Sequence, residues 1–324
     1  MSRNTTERTV DSRHNMAQSS RPPARRGPSG AWSRFKPVTP DSLDAYGLPS
    51  KGETRLHDFK NQETYYGKIV ERYMKFCASS SSGQGLDQAF ASLHTPPHDD
   101  SSRSSGADAH ENHHGRPNLP RHISSTERPN DMPNILLAMR KLREGILASR
   151  RRDIFAQRAY KFVIHAGILA RSWESYRPAL LYLIYTIHPH TPLSVPDIQE
   201  FAGYHILDLA CRQYELGEAF RVQREFQLRQ RKVDVVLRSL VHDDWVRFWR
   251  SRQAVDGYQR AIMEFAVERM RLHALKCIGR GYMNANKAFI ERTADGSWED
   301  LVKSGVGWQL QENNNVVIRK PKSK

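Results

Sequence analysis

The spacing of apolar residues divides this chain into an aperiodic first third and a periodic remainder. Residues 1–50 are rich in Ser, Pro, Arg and Gly and carry neither a helical nor a strand period, so disorder is expected over 1–59. One island follows. In "NQETYYGKIVERYMKFC", Tyr66, Ile69, Val70, Tyr73 and Cys77 recur at three- and four-residue intervals, and Tyr65, Met74 and Phe76 widen the face. This spacing predicts an isolated amphipathic helix over 60–78. A single helix of that size is marginal in water, so it must dock, on its own domain or on a partner. From "SSSSGQG" a second loose tract reads as a disordered linker over 79–130. Its "HENHHG" places His110, His113 and His114 together, without a Cys or an ordered scaffold to make a metal site of them.

Periodicity returns at Asp131. Asp131 suits a cap and Pro133 a first turn, with Ile135, Leu136, Met139, Leu142 and Ile146 on one face. Ile154, Phe155, Tyr160, Phe162, Val163, Ile168 and Leu169 mark a second helix. "YRPALLYLIYTI" is apolar nearly all round and should be buried. "HPHTPLSVPD" breaks the chain, with Asp197 placed to cap the next helix, where Phe201, Tyr204, Ile206, Leu207 and Leu209 resume the pattern. Shorter segments come next, then a long one, "VDGYQRAIMEFAVERMRLHALKCIGRGYM". Helix pairs with brief loops and no fixed sequence period predict a mainly α fold, an irregular α-solenoid over 131–254.

Residues 255–324 read differently. After the long helix, "NKAFIERT" holds Phe289 and Ile290. "DGSWEDLVKSG" comes after it, with Ser297 as cap, Glu299 and Asp300 in the first turn, Leu301 and Val302 inward and Gly305 as stop. "GWQLQENNNVVIRKPKSK" is then a β-hairpin: Trp308 and Leu310, an Asn-rich turn, Val316, Val317 and Ile318. A lone hairpin does not hold together in water. Trp308, Leu310, Val317 and Ile318 are therefore expected to cover the open side of three helices, which makes a winged helix. Winged helices often read DNA with the third helix. Here that helix carries Glu299 and Asp300 against one Lys303, so a protein-binding role is favoured.

Charge and composition narrow the partners. The chain has 324 residues, 38% hydrophobic, and a mean hydropathy of −0.69, as expected of an ordinary domain joined to a long unstructured stretch. Its 3 cysteines, Cys77, Cys211 and Cys277, make neither a disulfide framework nor a metal spacing, which points to a reducing compartment. No secretory signal opens the chain, and its most apolar run, Pro178 to Ile187, is far short of the roughly 20 residues a bilayer needs. A soluble protein of the cytoplasm or nucleus is expected, with no membrane partner. Residues 1–131 carry 18 Lys and Arg against 15 Asp and Glu, whereas 132–324 carry 32 against 20. Nearly all of the net +15 thus belongs to the helical part, and an acidic protein surface or a phosphate backbone is its natural complement. The candidate contacts are Arg150, Arg151 and Arg152, then Arg229, Arg231 and Lys232, then Arg319, Lys320 and Lys322. Convergence of these on one face would favour nucleic acid; scatter would favour a scaffold.

Catalytic spacings are missing. There is no GxxxxGK[ST], HExxH or GxSxG, and "GRGYMN" lacks both a preceding strand and a third glycine. His188 and His190 flank Pro189 in a loop, Asp243 and Asp244 suit a helix start, Cys211 and Cys277 suit core thiols, and Trp245, Phe248 and Trp249 sit at helical spacing as core residues do. No enzyme, no cofactor and no small-molecule substrate are expected.

Particular stretches carry a resemblance. "YRPALLYLIYTIHPHTPLSVPDIQEFAGYHILDLACRQYELGEAF", "VLRSLVHDDWVRFWRSRQAVDGYQRAIMEFAVERMRLHALKCIGRGYM" and "GWQLQENNNVVIRKPK" resemble, in that order, the middle helical pairs, the approach to the winged helix and the wing of the PCI family. Those are helical-repeat subunits of the proteasome lid, the signalosome and translation initiation factor three, with mRNA-export scaffold relatives. The likeness spans roughly 150–324 as a diffuse pattern; the third helix is shorter than the family's, and residues 1–130 have no counterpart. It implies a scaffold that pairs with other helical-repeat subunits through its winged helix. Some family members also hold a small acidic disordered protein, and some touch RNA. Gln309, Gln311, Val316, Val317 and Ile318 are the expected partner edge, because a two-stranded wing leaves backbone groups that a partner strand can complete.

Overall fold

From Asp131 onward, short loops bring each helix against the next. The computed structural model describes residues 42–79 and 131–319. Its helices are α1 (Phe59–Ser79), α2 (Asp131–Ala148), α3 (Ile154–Leu169), α4 (Trp173–Tyr182), α5 (Val195–Leu207), α6 (Leu216–Glu225), α7 (Arg231–Val241), α8 (Trp245–Ala254), α9 (Gly257–Gly281), α10 (Lys287–Ala294) and α11 (Trp298–Lys303). Strands β1 (Asn284–Asn286), β2 (Gln309–Leu310) and β3 (Asn315–Val317) complete it. Helices pack in consecutive pairs: α1 with α2, α3 with α4, α5 with α6, α7 with α8, α9 with α10. The fold is mainly helical with a small antiparallel sheet. No helix among the described residues is long and apolar enough to cross a membrane.

Order begins earlier than the sequence pattern suggests. Residues 42–58, expected to be disordered as part of 1–59, run along α2, and Leu43 and Leu56 are fully buried. They escape a periodicity search because two short 3₁₀ turns, not a helix, hold them. The helix expected over 60–78 is α1. It is not isolated: Tyr65 and Ile69 enter the main core, and the Tyr65 hydroxyl donates to Leu43 O at 2.8 Å. Buried Gln62 donates from Nε2 to Leu56 O (2.8 Å) and to Ser149 Oγ (2.9 Å), stitching α1 to the end of α2. The linker expectation for 80–130 and the histidines at 110, 113 and 114 lie outside the described residues.

Two helices end in widened π turns, Leu183–Ile187 after α4 and Asp208–Gln213 after α5. The second turns Asp208 into the core. Its fully buried carboxylate accepts from Tyr176 Oη (2.6 Å), Arg212 Nε (2.7 Å) and Gln213 Nε2 (2.8 Å), which offsets the penalty of burying a charge. Nearby His205 is buried with Nδ1 unpartnered, and burial pushes its pKa down to about 4. Ser194, not Asp197, caps α5: its hydroxyl accepts from Asp197 N, and Asp197 instead pairs with Lys161 at 2.6 Å.

Helix α9 joins two apolar clusters. Ile262, Met263, Ala266, Val267 and Met270 belong to the main core, whereas Leu275 joins Ile290, Ala294, Trp298, Leu301 and Val316 in a second one. Three donors lock the junction. Trp249 Nε1 donates to Thr293 O (3.0 Å), and Arg271 donates from Nε to Ala294 O (3.0 Å) and from Nη2 to Asp295 O (3.0 Å). All three acceptors are carbonyls at the C-terminal end of α10, where the helix leaves acceptors unpaired and favours cations.

The terminal sheet has order β1–β3–β2, three strands where a two-stranded hairpin was expected. β1 was missed because it is three residues long and has no apolar alternation: Asn-Ala-Asn. Ala285, Val316 and Leu310 align across the sheet and share its inner face. Val316 is buried at the centre, while Leu310 overhangs at the edge and is 41% exposed. Trp308 is half-buried against Gly279, and Val317 and Ile318 are half-buried. Val302 is exposed and Trp298 buried, because Trp298 and Leu301, three apart, share the inner face of α11.

This packing has two testable consequences. A Cβ on Gly145 would lie 2.8 Å from both Cβ and the carbonyl oxygen of Leu56. Gly145→Ala should therefore destabilise by roughly 1–3 kcal/mol, read as a lower denaturant midpoint; an unchanged midpoint would contradict the docking of 42–58. His205 is neutral when folded and takes a proton more readily when unfolded, with a reference value of 6.5. The unfolded chain thus binds more protons between pH 6.5 and about 4, and stability falls as pH drops through that window. Melting temperatures across it should fall more steeply for the native chain than for His205→Leu.

Candidate partner-binding surfaces

The fold takes most of one basic cluster into itself. Arg151 is 5% exposed. It donates from Nε to Asp153 Oδ2 (2.9 Å), from Nη1 to Phe59 O (3.1 Å) and from Nη2 to Glu63 Oε1 (2.5 Å). Its guanidinium also lies over the rings of Phe155 (4.1 Å) and Phe59 (4.3 Å). Arg151 therefore fastens α1 to the α2–α3 turn and is not a contact for a partner. Arg152 is half-buried against His190, and only Arg150 of the three is exposed. Arg319 is exposed and donates from Nη2 to Arg280 O (2.5 Å); Lys320 and Lys322 lie outside the described residues.

The second cluster stays in solvent. Arg229, Arg231 and Lys232 are exposed, and Arg231 and Lys232 line a groove of about 300 Å³ between α7 and α8. Arg247 and Arg250 complete its rim, while Val235 and Ala254 contribute apolar floor. Sequence reasoning fixed on Trp245, Phe248 and Trp249 of α8, of which Phe248 and Trp249 are buried. Arg247, Arg250 and Ala254, at intervals of three and four, form another face of the same helix, and that spacing was the available signal. Asp244 does open α8, accepting from Arg247 N at 2.9 Å.

The start of α7 is electrostatically unfavourable. Arg231 and Lys232 put two positive charges in the first turn, where the helix dipole is also positive, and only Asp234, paired with Arg238 at 3.1 Å, opposes them there. The preceding Gln230 supplies no side-chain cap; its Nε2 donates to Gln199 O (3.0 Å) and its Oε1 accepts from Gln259 (2.9 Å). Lys232 Nζ reaches across to Ala254 O at 2.6 Å.

A second groove, of about 500 Å³, shares Arg231 and Lys232 but is lined also by Glu200, Asp256, Tyr204 and Tyr258. Glu200 accepts from Tyr204 Oη (2.7 Å) and faces His165 Nε2 (2.8 Å), and His165 holds the carboxyl below its usual range. Tyr258 stacks on His165 with centroids 4.4 Å apart. Basic and acidic linings thus adjoin.

At the terminal sheet, β3 is central, so Val316 and Val317 have a strand on either side, and the N–H of Ile318 just beyond donates to Met283 O at 2.9 Å. Those residues are not an edge, in contrast to the two-stranded expectation. Gln311 N donates to Asn315 O (2.9 Å), so by antiparallel alternation Gln309 and Gln311 turn their backbone groups inward to β3. The N–H and C=O of Leu310 therefore point outward. The open β2 edge belongs to Leu310, and only the side chains of Gln309 and Gln311 are exposed there.

Other chemistry-bearing residues have local partners. His188 Nδ1 accepts from Leu193 N (3.0 Å), Cys211 is buried with its thiol pushed up to about 12, and Cys277 faces His273 at 3.4 Å. Among the described residues no group of three or more His, Cys, Asp or Glu is placed to hold a metal ion. No protein-family model matches the chain, and no curated protein is significantly similar to it.

Arg231, the first-turn cation without a hydrogen bond to the fold, gives a direct expectation. Arg231→Glu should stabilise the fold by about 0.3–1 kcal/mol by reversing an unfavourable dipole contact. Chemical denaturation checks this, and a loss of stability would mean that Arg231 serves the fold.

Proposed function

We propose that this chain is a non-catalytic scaffold subunit that joins a larger assembly through its terminal module. The order α9, β1, α10, α11, β2, β3 fits a winged helix, and the consecutive helix pairs before it fit an irregular α-solenoid, the combination that the PCI resemblance implies. The observation that carries the reading is the β2 edge. An outward-facing backbone pair at Leu310 and a half-exposed leucine beside it offer hydrogen bonds and apolar area to a partner strand. Tyr282, Met283 and Val302 add exposed apolar surface on the same small module. The α11 helix disfavours DNA in the usual winged-helix mode, since Glu299 and Asp300 both stand in solvent. The partner is accordingly another helical-repeat subunit.

A second reading, RNA held on the basic helical face, draws on Arg229, Arg231, Lys232 and Arg250, all exposed on or beside one helix pair. Its signature is a log affinity that falls with log salt at about −0.7 per phosphate contacted.

Leu310→Pro separates the edge from the fold. Proline removes only the outward N–H of an edge strand, so the internal ladder survives and the melting temperature should stay within about 3 °C of the native chain. Affinity purification from the native source should return a stoichiometric helical-repeat partner with the native chain and lose it with Leu310→Pro. Retention of the partner by the variant, or its absence from the native sample, would sink the edge reading.

A further inference from the structure

The groove where α5 meets the starts of α7 and α9 holds an acceptor that the fold leaves unanswered. Gln259 lines it and is 5% exposed, and its Oε1 is buried without a hydrogen-bond partner. Turning the amide over does not cure this. Gln259 Nε2 donates to Gln230 Oε1 (2.9 Å), and Gln230 Nε2 donates in turn to Gln199 O (3.0 Å). A backbone carbonyl only accepts, so it fixes both amides, and a flipped Gln259 would set two oxygens against each other. The relay therefore ends on a carbonyl dipole with no donor, which is costly when buried. The charges around it are balanced: Glu200 and Asp256 against Arg231 and Lys232. His165 and Tyr204 both bond Oε1 of Glu200, which leaves Oε2 to accept. Two helices start here, and only one has its anion. Asp256 Oδ1 caps α9 by accepting from Gln259 N at 2.8 Å, whereas α7, 11 residues long, has no side-chain cap.

We infer that this groove binds a free α-amino acid, its ammonium beside Glu200 and the Gln259 carbonyl and its carboxylate on Arg231 at the uncapped start of α7. The ammonium answers the Gln259 dipole and can donate to Oε2 of Glu200. The carboxylate matches the guanidinium fork of Arg231, which stands in solvent, and is favoured by the first turn of α7. Lys232 adds charge but already gives one donor to Ala254 O at 2.6 Å. The amino-acid side chain turns to the ring of Tyr258, which is itself held on His165 with centroids 4.4 Å apart. Such a surface rewards an aliphatic or aromatic side chain.

The balance of charge decides the class of ligand. A simple anion entering the groove is opposed by Glu200 and Asp256, and a simple cation by Arg231 and Lys232. An α-amino acid carries both signs on one carbon and turns each toward its complement. A residue within a polypeptide has neither α-charge, and a chain terminus has only one of them. The volume of about 500 Å³ lies in the range of small-molecule sites.

The inference does not rest on the β2 edge or on any partner protein, and its test uses the full chain alone. L-leucine and L-phenylalanine are each titrated into it by calorimetry. At least one should bind saturably, with half-saturation at about 1 mM or below. Its amine without the carboxylate, isoamylamine or phenethylamine, should bind at least about tenfold more weakly, and so should its acid without the ammonium, isocaproate or hydrocinnamate. Arg231→Gln and Glu200→Gln each remove one charge at nearly constant shape and should each weaken binding by about tenfold or more, while Arg150→Glu and Leu310→Pro leave it within about twofold. An unchanged circular-dichroism melt shows that the variants fold; should Glu200→Gln unfold, Arg231→Gln and the two truncated ligands decide. Absence of saturable binding by both amino acids overturns the inference. So does equal affinity for the amine or the acid, or an affinity that a folded Arg231→Gln or Glu200→Gln leaves unchanged.

Discussion

Helix α9 belongs to two cores at once, and the arrangement of everything else depends on it. Its 25 residues extend about 37 Å. Along that length it touches α3, α5, the π turn after α5, α8 and α10. A helix so surrounded must be apolar on several sides. Ile262 to Met270 serve the helical pairs, and Leu275 serves the terminal module. Because one rigid rod supplies both, the sheet and its open edge hold a fixed position relative to the helix pairs. Trp249 and Arg271, bound to the carbonyls that end α10, keep the module from swinging about that rod.

The same structure shows where a basic protein spends its arginines. Several are internal fittings. Arg151 clamps α1, Arg212 neutralises buried Asp208, Arg143 donates to Ser175 O at 2.7 Å, and Arg269 lies 3.9 Å over the Tyr214 ring. Guanidinium suits this work, since it stays charged, forks toward oxygen and stacks on aromatic faces. Other cations stay in solvent and are spread over the surface, Lys60, Arg150, Lys276 and Arg292 among them. Arg231, Lys232, Arg247 and Arg250 differ in lining one groove together.

Periodic elements were legible from the amino acids alone. Helices over 131–281, their caps at Asp244 and Ser297, the burial of Phe248 and Trp249, and the strand-turn-strand at the end all come from spacings of two, three and four residues. Such spacings record which faces meet an apolar environment. Tertiary structure decided the rest, for three physical reasons. Residues 42–58 are ordered by single anchors, Leu43 and Leu56, that have no period. β1 is recruited by the partner strand's hydrogen bonds, not by its own Asn-Ala-Asn composition, and its presence moved the open edge from Val316–Ile318 to Leu310. Finally, a charge written in sequence has no address. Arg151 and Arg231 look alike in the chain, but one is buried over two phenyl rings and the other is left in solvent, because only the fold determines which carboxylates and rings come within reach.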